Sequence, residues 1–372
     1  MPLKDPHRVD YVLLALVAAL LLFGLLMLAS AGTGMGLDQF GDASYYVKHQ
    51  FVFGLLPGLI GLYACSRVPY TFWRRHAMKI FAASLGLLVL VFVPGISSGN
   101  INGAHSWISI GPWFSFQPSE IVKLTFLFYL AAWLERRGAD GMRRFSTGLV
   151  PFLVALGAVL LLLIAQPAIG TMSVVVVQAL AVYFVAGAPL PYIAGLVVSG
   201  ASGLALLIKI APYRAARLMT FLNPQLDPQG IGYHVNQALL AIGSGGVFGL
   251  GYGHSRQKFQ YLPEAVSDSI FAVIGEELGL IGCAVLIGLF LLLFQRLLTV
   301  AKRAPDAFSK YVVVGIAAWI IVQAFVNVGS MLAIMPMTGI TLPFVSYGGT
   351  SLAVLLSAIG VVLNISKHRK IA

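Results

Sequence analysis

One long segment of this chain, about residues 210–268, contains many of the charged side chains that could do chemistry. It holds four cations, Arg214, Arg217, Arg256 and Lys258. Guanidinium and ammonium groups bind phosphate oxygens through charge-assisted hydrogen bonds, so the segment could hold a phosphate-bearing ligand. Contact with anionic lipid headgroups explains the same cations equally well. The residues alone leave both interpretations open.

A carboxylate, Asp268, closes this segment where it meets an apolar stretch that also contains Glu276 and Glu277. Carboxylates at the edge of an apolar span are costly and are usually functional or paired. Asp268 is therefore a candidate functional residue. The same residue could serve as a helix N-cap, since its side chain can accept hydrogen bonds from the free N–H groups of a first turn. The two roles do not exclude each other.

A second charged pair lies far from this segment in sequence. Glu120 and Lys123 are three residues apart in an apolar stretch, so they would share one face of a helix. The pair either holds helices together or lines a polar cavity that reaches the active site. The seven histidines show no metal-ligand spacing, and Cys65 and Cys283 are interpreted as small core residues.

The elements that position these groups must be helices in lipid. Of the 372 residues, 59% are hydrophobic and only 10% are charged, whereas soluble domains carry about 25% charged residues. The net charge of +11 is typical of membrane proteins with basic cytoplasmic loops, and we do not expect nucleic-acid binding. Runs of about twenty apolar residues predict ten spans. They lie near residues 11–30, 49–66, 80–96, 119–135, 147–165, 171–187, 190–209, 269–295, 311–333 and 347–366.

The distribution of basic residues orients these spans. With both termini in the cytoplasm, most of the 24 Lys and Arg residues fall in cytoplasmic segments. Lys123 then lies inside a span, and the external basic residues are Lys48, Lys209, Arg214, Arg217, Arg256 and Lys258. We predict an all-α polytopic membrane protein with a single domain, residues 1–372. Its external segments, about 97–118 and 210–268, are too long to be simple connectors, and the second is a large structured extracytoplasmic loop between helices 7 and 8.

Four stretches together resemble the SEDS family (shape, elongation, division and sporulation), which has FtsW, RodA and SpoVE types. The resemblance covers nearly the whole chain. The stretches are residues 102–123, with NGAHSW and FQPSEIVK; residues 166–171, QPAIGT; residues 214–279, ending in EELG; and residues 327–351, with PMTGITLPFVSYGGTS.

The resemblance implies a peptidoglycan glycosyltransferase. Such an enzyme polymerises lipid II, a disaccharide peptide linked to undecaprenyl pyrophosphate, on the outer face of the bacterial cytoplasmic membrane. The implied partners are a class B penicillin-binding protein and other membrane proteins of division or elongation. The family's essential aspartate matches Asp268 in EAVSDSIF, residues 264–271. The resemblance therefore makes Asp268 the expected catalytic residue.

We expect Asp268 to take the proton from the 4-hydroxyl of the acceptor sugar, and the cations to balance charge on the pyrophosphates. The donor α-linkage becomes a β-linkage, which implies a single displacement with inversion. A divalent cation, Mg²⁺ or Mn²⁺, could assist, although the sequence shows no dedicated site. The expected substrate-binding residues are Arg214, Arg217, Arg256, Lys258, Lys123, Glu120, Trp107 and Ser346.

The chain departs from the family pattern at several positions. Ser106 replaces an Arg and Ala168 replaces an Asp, which is consistent with the loss of one charge pair. Val266 and Ser269 are unusual neighbours for the aspartate, the usual residue at 269 being Phe. Ala333 stands where a Gly is expected near the end of the ninth span.

Different residues of the chain favour different types within the family. Residues 257–265, QKFQYLPEA, look more like an FtsW-type protein, whereas Thr338 looks more like a RodA-type protein. We expect the FtsW type. The alternatives from other functional classes are a lipid II flippase and a non-catalytic scaffold of the division machinery. The sequence has no evident internal repeat, which counts mildly against transport.

Overall fold

The computed structural model describes residues 9–93, 106–110, 114–210, 219, 221 and 230–368. Most of these residues lie in helices, as the sequence predicted. The helices are α1 (Tyr11–Ala31), α2 (Thr33–Phe40), α3 (Tyr45–Gln50), α4 (Leu56–Arg67), α5 (Tyr70–Leu90), α6 (Pro118–Met142), α7 (Val150–Ala165), α8 (Ile169–Val185), α9 (Leu190–Ile210), α10 (Ile231–Gly245), α11 (Ile270–Lys302), α12 (Ala307–Met331) and α13 (Gly349–Lys367), with π-helical turns at Phe51–Leu55 and Phe145–Leu149.

Each of the ten predicted spans overlaps a helix or a run of consecutive helical segments, but the number of membrane crossings stays a prediction. Among the described residues, six helices are long and apolar enough to cross a membrane, and two shorter apolar helices, Ile169–Val185 and Leu190–Gly203, accompany them. The helices α5 and α6 are not among these eight. Each of them carries several charged residues along its length.

The boundaries of the third predicted span were wrong. The helix runs from Tyr70 to Leu90, so it begins and ends earlier than the predicted 80–96. Arg74, Arg75 and Lys79 therefore lie inside α5, not in a connecting segment. Arg74 contacts both Glu135 and Asp306 at 3.4 Å. Arg74 thus has two acidic partners that are distant from it in sequence.

Two helices, α12 and α13, are the most enclosed of the long apolar ones. The buried side chains of α12 include Phe308, Ile316 and Trp319. The helix α13 packs closely against α4, because small residues face each other there. A Cβ at Gly360 would collide with the backbone carbonyl of Leu62. The helices α12 and α13 therefore lie in the interior of the molecule.

The helix α11 is interrupted by a sharp kink at Gly279, where φ is +63°. At this point the chain that follows α10 forms hydrogen bonds with the open backbone of α11. The N–H of Leu280 donates to the carbonyl of Gly246 at 2.9 Å, and the N–H of Leu250 donates to the carbonyl of Glu276 at 2.9 Å. A side chain at Gly279 would both strain the backbone and collide with residues 247 and 249. The kink therefore docks the long loop onto α11.

Both predicted external segments contain secondary structure in their described parts. In the first, strands β1 (Ile108–Ile110) and β2 (Phe114–Phe116) pair antiparallel, with Ile108 opposite Phe116. In the second, α10 packs against α11 before the chain reaches Asp268. The tip of the hairpin and most of residues 211–229, including Arg214 and Arg217, lie outside the described residues.

Candidate active site

Asp268 lies at the junction that the sequence predicted, immediately before α11, and its side chain is 9% exposed. The N-cap position of α11 is Ser269, so Asp268 lies one residue outside the helix. This arrangement gives little support to the helix-cap interpretation. The carboxylate Oδ2 lies 3.9 Å from the point that a Cβ at Gly339 would occupy. The loop that follows α12 is therefore the wall opposite the carboxylate.

Two amides on one face of α12 hold this wall and the backbone of Asp268. The Asn327 side-chain N–H₂ donates to the carbonyl of Asp268 at 2.7 Å and to the carbonyl of Ile340 at 2.8 Å. Gln323, one turn earlier, donates to the carbonyl of Thr341 at 2.9 Å. Buried amides with such partners define one backbone arrangement. The position of Asp268 is thus fixed from the most enclosed part of the fold.

The predicted pair Glu120 and Lys123 forms, and it belongs to the same polar network. Lys123 Nζ lies 2.8 Å from Glu120 Oε1, with the lysine side chain fully buried. It also donates to Gln323 Oε1 at 3.0 Å and lies 4.8 Å from the centre of the Trp319 ring. Gln323 therefore connects the ion pair to the wall near Asp268. Both earlier interpretations, a link between helices and part of a polar site, fit this geometry.

Lys258 is arranged differently from what the sequence suggested. Its Nζ lies 2.8 Å from Glu277 Oε1 and donates to Ser30 Oγ and to the carbonyl of Gly253, each at 2.8 Å. The side chain is only 2% exposed. An ammonium group has three N–H donors, and all three have protein acceptors. In this arrangement Lys258 has no donor left for a phosphate, and we withdraw it from the expected substrate-binding residues.

The neighbouring carboxylates, Glu276 and Glu277, bind this loop through hydrogen bonds. Glu276 accepts hydrogen bonds from Ser255 Oγ at 2.5 Å and from the N–H of Arg256 at 2.9 Å. Glu277 accepts from Ser30 Oγ at 2.6 Å and from the N–H of Gly253 at 3.0 Å. The two carboxylates therefore hold residues 253–257 against α11 and α1. We call Ser30, Lys258 and Glu277 the loop lock.

Three of the remaining predicted binding residues lie in the described part of the chain, and each has a different environment. Arg256 is exposed beside the loop lock and is free to reach solvent with its guanidinium. Trp107 is half-buried just before β1. Ser346 closes a turn, because its Oγ accepts from the N–H of Leu342 at 2.7 Å while its carbonyl accepts from Gln50 at 3.2 Å.

Two departures from the family pattern have visible structural counterparts. Ser106 Oγ donates to the carbonyl of Gln166 at 3.3 Å, two residues before Ala168. The positions that lack the expected charge pair are thus neighbours in space. Ala333 has φ of +53°, a conformation that glycine adopts without strain. The expected glycine at this position has a clear backbone reason.

Sequence reasoning missed one contact near Asp268. His234, on α10, places Nε2 2.5 Å from Ser269 Oγ, and Ser269 Oγ donates to Asp268 Oδ1 at 3.5 Å. Burial lowers the pKa of His234 to about 4, although the negative charge of Glu264 acts in the opposite direction. The unusual serine beside the aspartate was the signal that could have pointed to this contact.

The comparisons with known proteins agree with this fold. A family model for the FtsW/RodA/SpoVE cell cycle proteins matches residues 11–371. A Trichlorobacter lovleyi protein named "Probable peptidoglycan glycosyltransferase FtsW" is 40% identical over 373 residues, which cover all of this chain and 97% of the relative. Stage V sporulation protein E of Bacillus subtilis is 40% identical over 361 residues, with 97% of each chain covered.

Solved structures show the same likeness. A chain of a peptidoglycan synthase complex that coordinates polymerization and crosslinking superposes with a TM-score of 0.77 at 31% identity, covering 96% of this chain and 98% of that chain. The rod shape determining protein RodA of Thermus thermophilus superposes with a TM-score of 0.72 at 32% identity, covering 98% and 99%. The chain therefore belongs to the FtsW/RodA/SpoVE family of cell cycle proteins.

Proposed function

We propose that this chain is a peptidoglycan glycosyltransferase of the inner membrane that polymerises lipid II into glycan strands. The observation that carries the proposal is the Asp268 carboxylate, enclosed between the start of α11 and the loop after α12, with its backbone carbonyl held by Asn327. Relatives named FtsW support the same activity over nearly their full lengths. An enclosed carboxylate of this kind suits the transfer of a sugar, because it can take the proton of the attacking hydroxyl.

The proposed reaction is a single displacement. The 4-hydroxyl of the acceptor sugar attacks the anomeric carbon of the donor, and Asp268 takes the hydroxyl proton. The bond from that carbon to the pyrophosphate breaks, and undecaprenyl pyrophosphate leaves with the electron pair. The α-linkage of the donor becomes a β-linkage. A carboxylate withdrawn from water is a stronger base than a free one, and Asp268 is largely buried.

Cations near this site would balance the negative charge of the pyrophosphates. We assign Arg256 to this role because its side chain is exposed, and we keep Arg214 and Arg217 as proposals from the sequence. A divalent cation, Mg²⁺ or Mn²⁺, stays a prediction. Within the described residues no group of three His, Cys, Asp or Glu side chains could hold a metal ion.

The proposed partner is a class B penicillin-binding protein. The support is the likeness to a chain of a peptidoglycan synthase complex in which polymerization and crosslinking are coordinated. Within the family, we propose an FtsW-type role in division. The support is that the FtsW-named relatives are about 40% identical to this chain, whereas the RodA structure is 32% identical.

The activity is tested with purified protein, lipid II and the partner. We expect a ladder of glycan chains on a denaturing gel. Lipid II that remains monomeric, together with transbilayer movement of labelled lipid II in vesicles, would contradict the glycosyltransferase and favour a flippase. A protein that does neither but still binds its partner would favour a scaffold. Chelation of divalent cations in the same assay tests the cation.

We further propose that both termini face the cytoplasm. The support is the excess of Lys and Arg in the segments that this orientation assigns to the cytoplasm. A reporter enzyme that is active only in the cytoplasm, fused to the C-terminus, is expected to be active. Activity of a periplasm-specific reporter at the same position would contradict the orientation and would move the loop with Asp268 to the wrong face.

A further inference from the structure

The contact between His234 and Ser269 lies beside the proposed base and has no part in the reaction described above. Ser269 is fully buried, and its Oγ lies between His234 Nε2 at 2.5 Å and Asp268 Oδ1 at 3.5 Å. Three elements meet in this contact: α10 supplies the imidazole, the N-cap of α11 supplies the hydroxyl, and the end of the long loop supplies the carboxylate.

The chemistry of the three groups sets the direction of the hydrogen bonds. An ionised carboxylate can only accept, so in the contact between Ser269 and Asp268 the hydroxyl is the donor. The Ser269 oxygen must then accept from His234, which requires a proton on Nε2. The distance of 3.5 Å is long for an O–H···O bond, but catalytic hydrogen bonds are often long without substrate and shorten when it binds.

We infer that His234 is a positioning residue for Asp268, acting through Ser269. The imidazole Nε2–H fixes the Ser269 oxygen, and the Ser269 hydroxyl thereby donates to the carboxylate and keeps it ionised and oriented toward the acceptor sugar. This inference rests on the proposed function, because it assigns Asp268 as the base. We call the three residues the His–Ser–Asp relay.

The charges around the imidazole are consistent with a neutral donor. Burial lowers the pKa of His234 to about 4, and Glu264 is the charged group that opposes this shift. The other ionisable side chain on α10 is Tyr233, and α12 carries Lys310 and Tyr311 near its start. On α11, Glu276 and Glu277 accept hydrogen bonds from the residues of the 253–258 loop. At neutral pH His234 is therefore uncharged, and the proposed relay uses the tautomer with its proton on Nε2.

The relay predicts a specific change in the pH dependence of polymerisation. A hydrogen bond donated to a carboxylate favours its charged form. Loss of that bond makes ionisation harder, so the acid limb of the turnover profile moves to higher pH. We expect a shift of about one pH unit, since a hydrogen bond to a charged group is worth at least that much.

The experiment measures turnover of lipid II against pH for the full chain with its partner. Ser269→Ala and His234→Leu are each expected to shift the acid limb by about the same amount, and the double variant no further, because both changes break one relay. His234→Gln keeps an N–H donor and is the matched control. It is expected to retain the wild-type limb.

The possible outcomes distinguish failure of the relay from failure of the proposed function. Unchanged acid limbs in Ser269→Ala and His234→Leu, with normal glycan ladders, would overturn the relay and leave the glycosyltransferase intact. Additive shifts in the double variant would overturn it as well. Thermal melting and copurification with the partner identify any variant that fails to fold. If Ser269→Ala is such a variant, the comparison of His234→Gln with His234→Leu tests the relay. Absence of ladders in the wild-type protein contradicts the proposed function itself.

Discussion

Asp268→Asn is expected to yield a protein that folds and binds its partner but forms no glycan chains. The substitution keeps the size of the side chain and removes its ability to take a proton. General-base catalysis is worth about 10²–10⁴-fold, so polymerisation should fall close to the detection limit of a gel assay. The measurement is glycan-chain length and amount with lipid II and the penicillin-binding partner, beside wild-type protein at equal concentration.

The structure indicates that this substitution removes the carboxylate without removing contacts that hold the fold. The N-cap of α11 is Ser269, and the clamp from Asn327 reaches the backbone carbonyl of Asp268, which the substitution leaves in place. Folding should therefore be nearly unchanged, and the melting temperature is the control. If the protein melts normally and polymerises at the wild-type rate, Asp268 is not the base.

Asp268→Glu gives a second measure of the same role. It keeps the charge but moves the carboxylate outward by one methylene group. The loop of Gly339 lies opposite the carboxylate, and the longer side chain would move its carboxylate toward that loop. Misplacement of a catalytic group by about an ångström can cost about 10²-fold. We expect weak but measurable ladders, between those of the wild type and of Asp268→Asn.

Much of the fold could be predicted from composition and apolar runs. Helices in lipid satisfy their own backbone hydrogen bonds, so an apolar stretch of sufficient length is a helix whatever its neighbours are. The limits of this reasoning are visible in α5. Its first turns carry Arg74, which has acidic partners at Glu135 and Asp306. No local pattern indicates partners so far away in sequence.

In the site, too, a contact between residues close in sequence could be predicted, whereas a contact between distant residues could not. The i, i+3 spacing of Glu120 and Lys123 predicted their pair, since both residues lie on one helix. The sequence predicted an external position for Lys258, which suggested that it binds phosphate. No local pattern in the sequence indicated its partners in the fold. Ser30 is separated from it by 228 residues, and only the packing of α1 against the loop brings the two together.

The two interpretations of Lys258 predict opposite results for Lys258→Met. In the loop lock, the substitution leaves the Glu277 carboxylate buried without its cation. Breaking a buried ion pair by removal of one partner costs about 3–5 kcal/mol, a large part of the stability of many proteins. We therefore expect a marked fall in melting temperature and in yield, with loss of activity that follows loss of folded protein.

Two further variants make the test of Lys258 decisive. Lys258→Met with Glu277→Gln removes both charges while it keeps side chains of similar size, and it should recover part of the lost melting temperature, because no unpaired charge remains buried. Arg256→Ala is the matched control two residues away. Its side chain is exposed, so we expect normal melting and a higher lipid II concentration for half-maximal activity. A Lys258→Met protein that melts normally and differs only in its lipid II requirement would show that Lys258 binds phosphate and that the loop lock does not stabilise the fold.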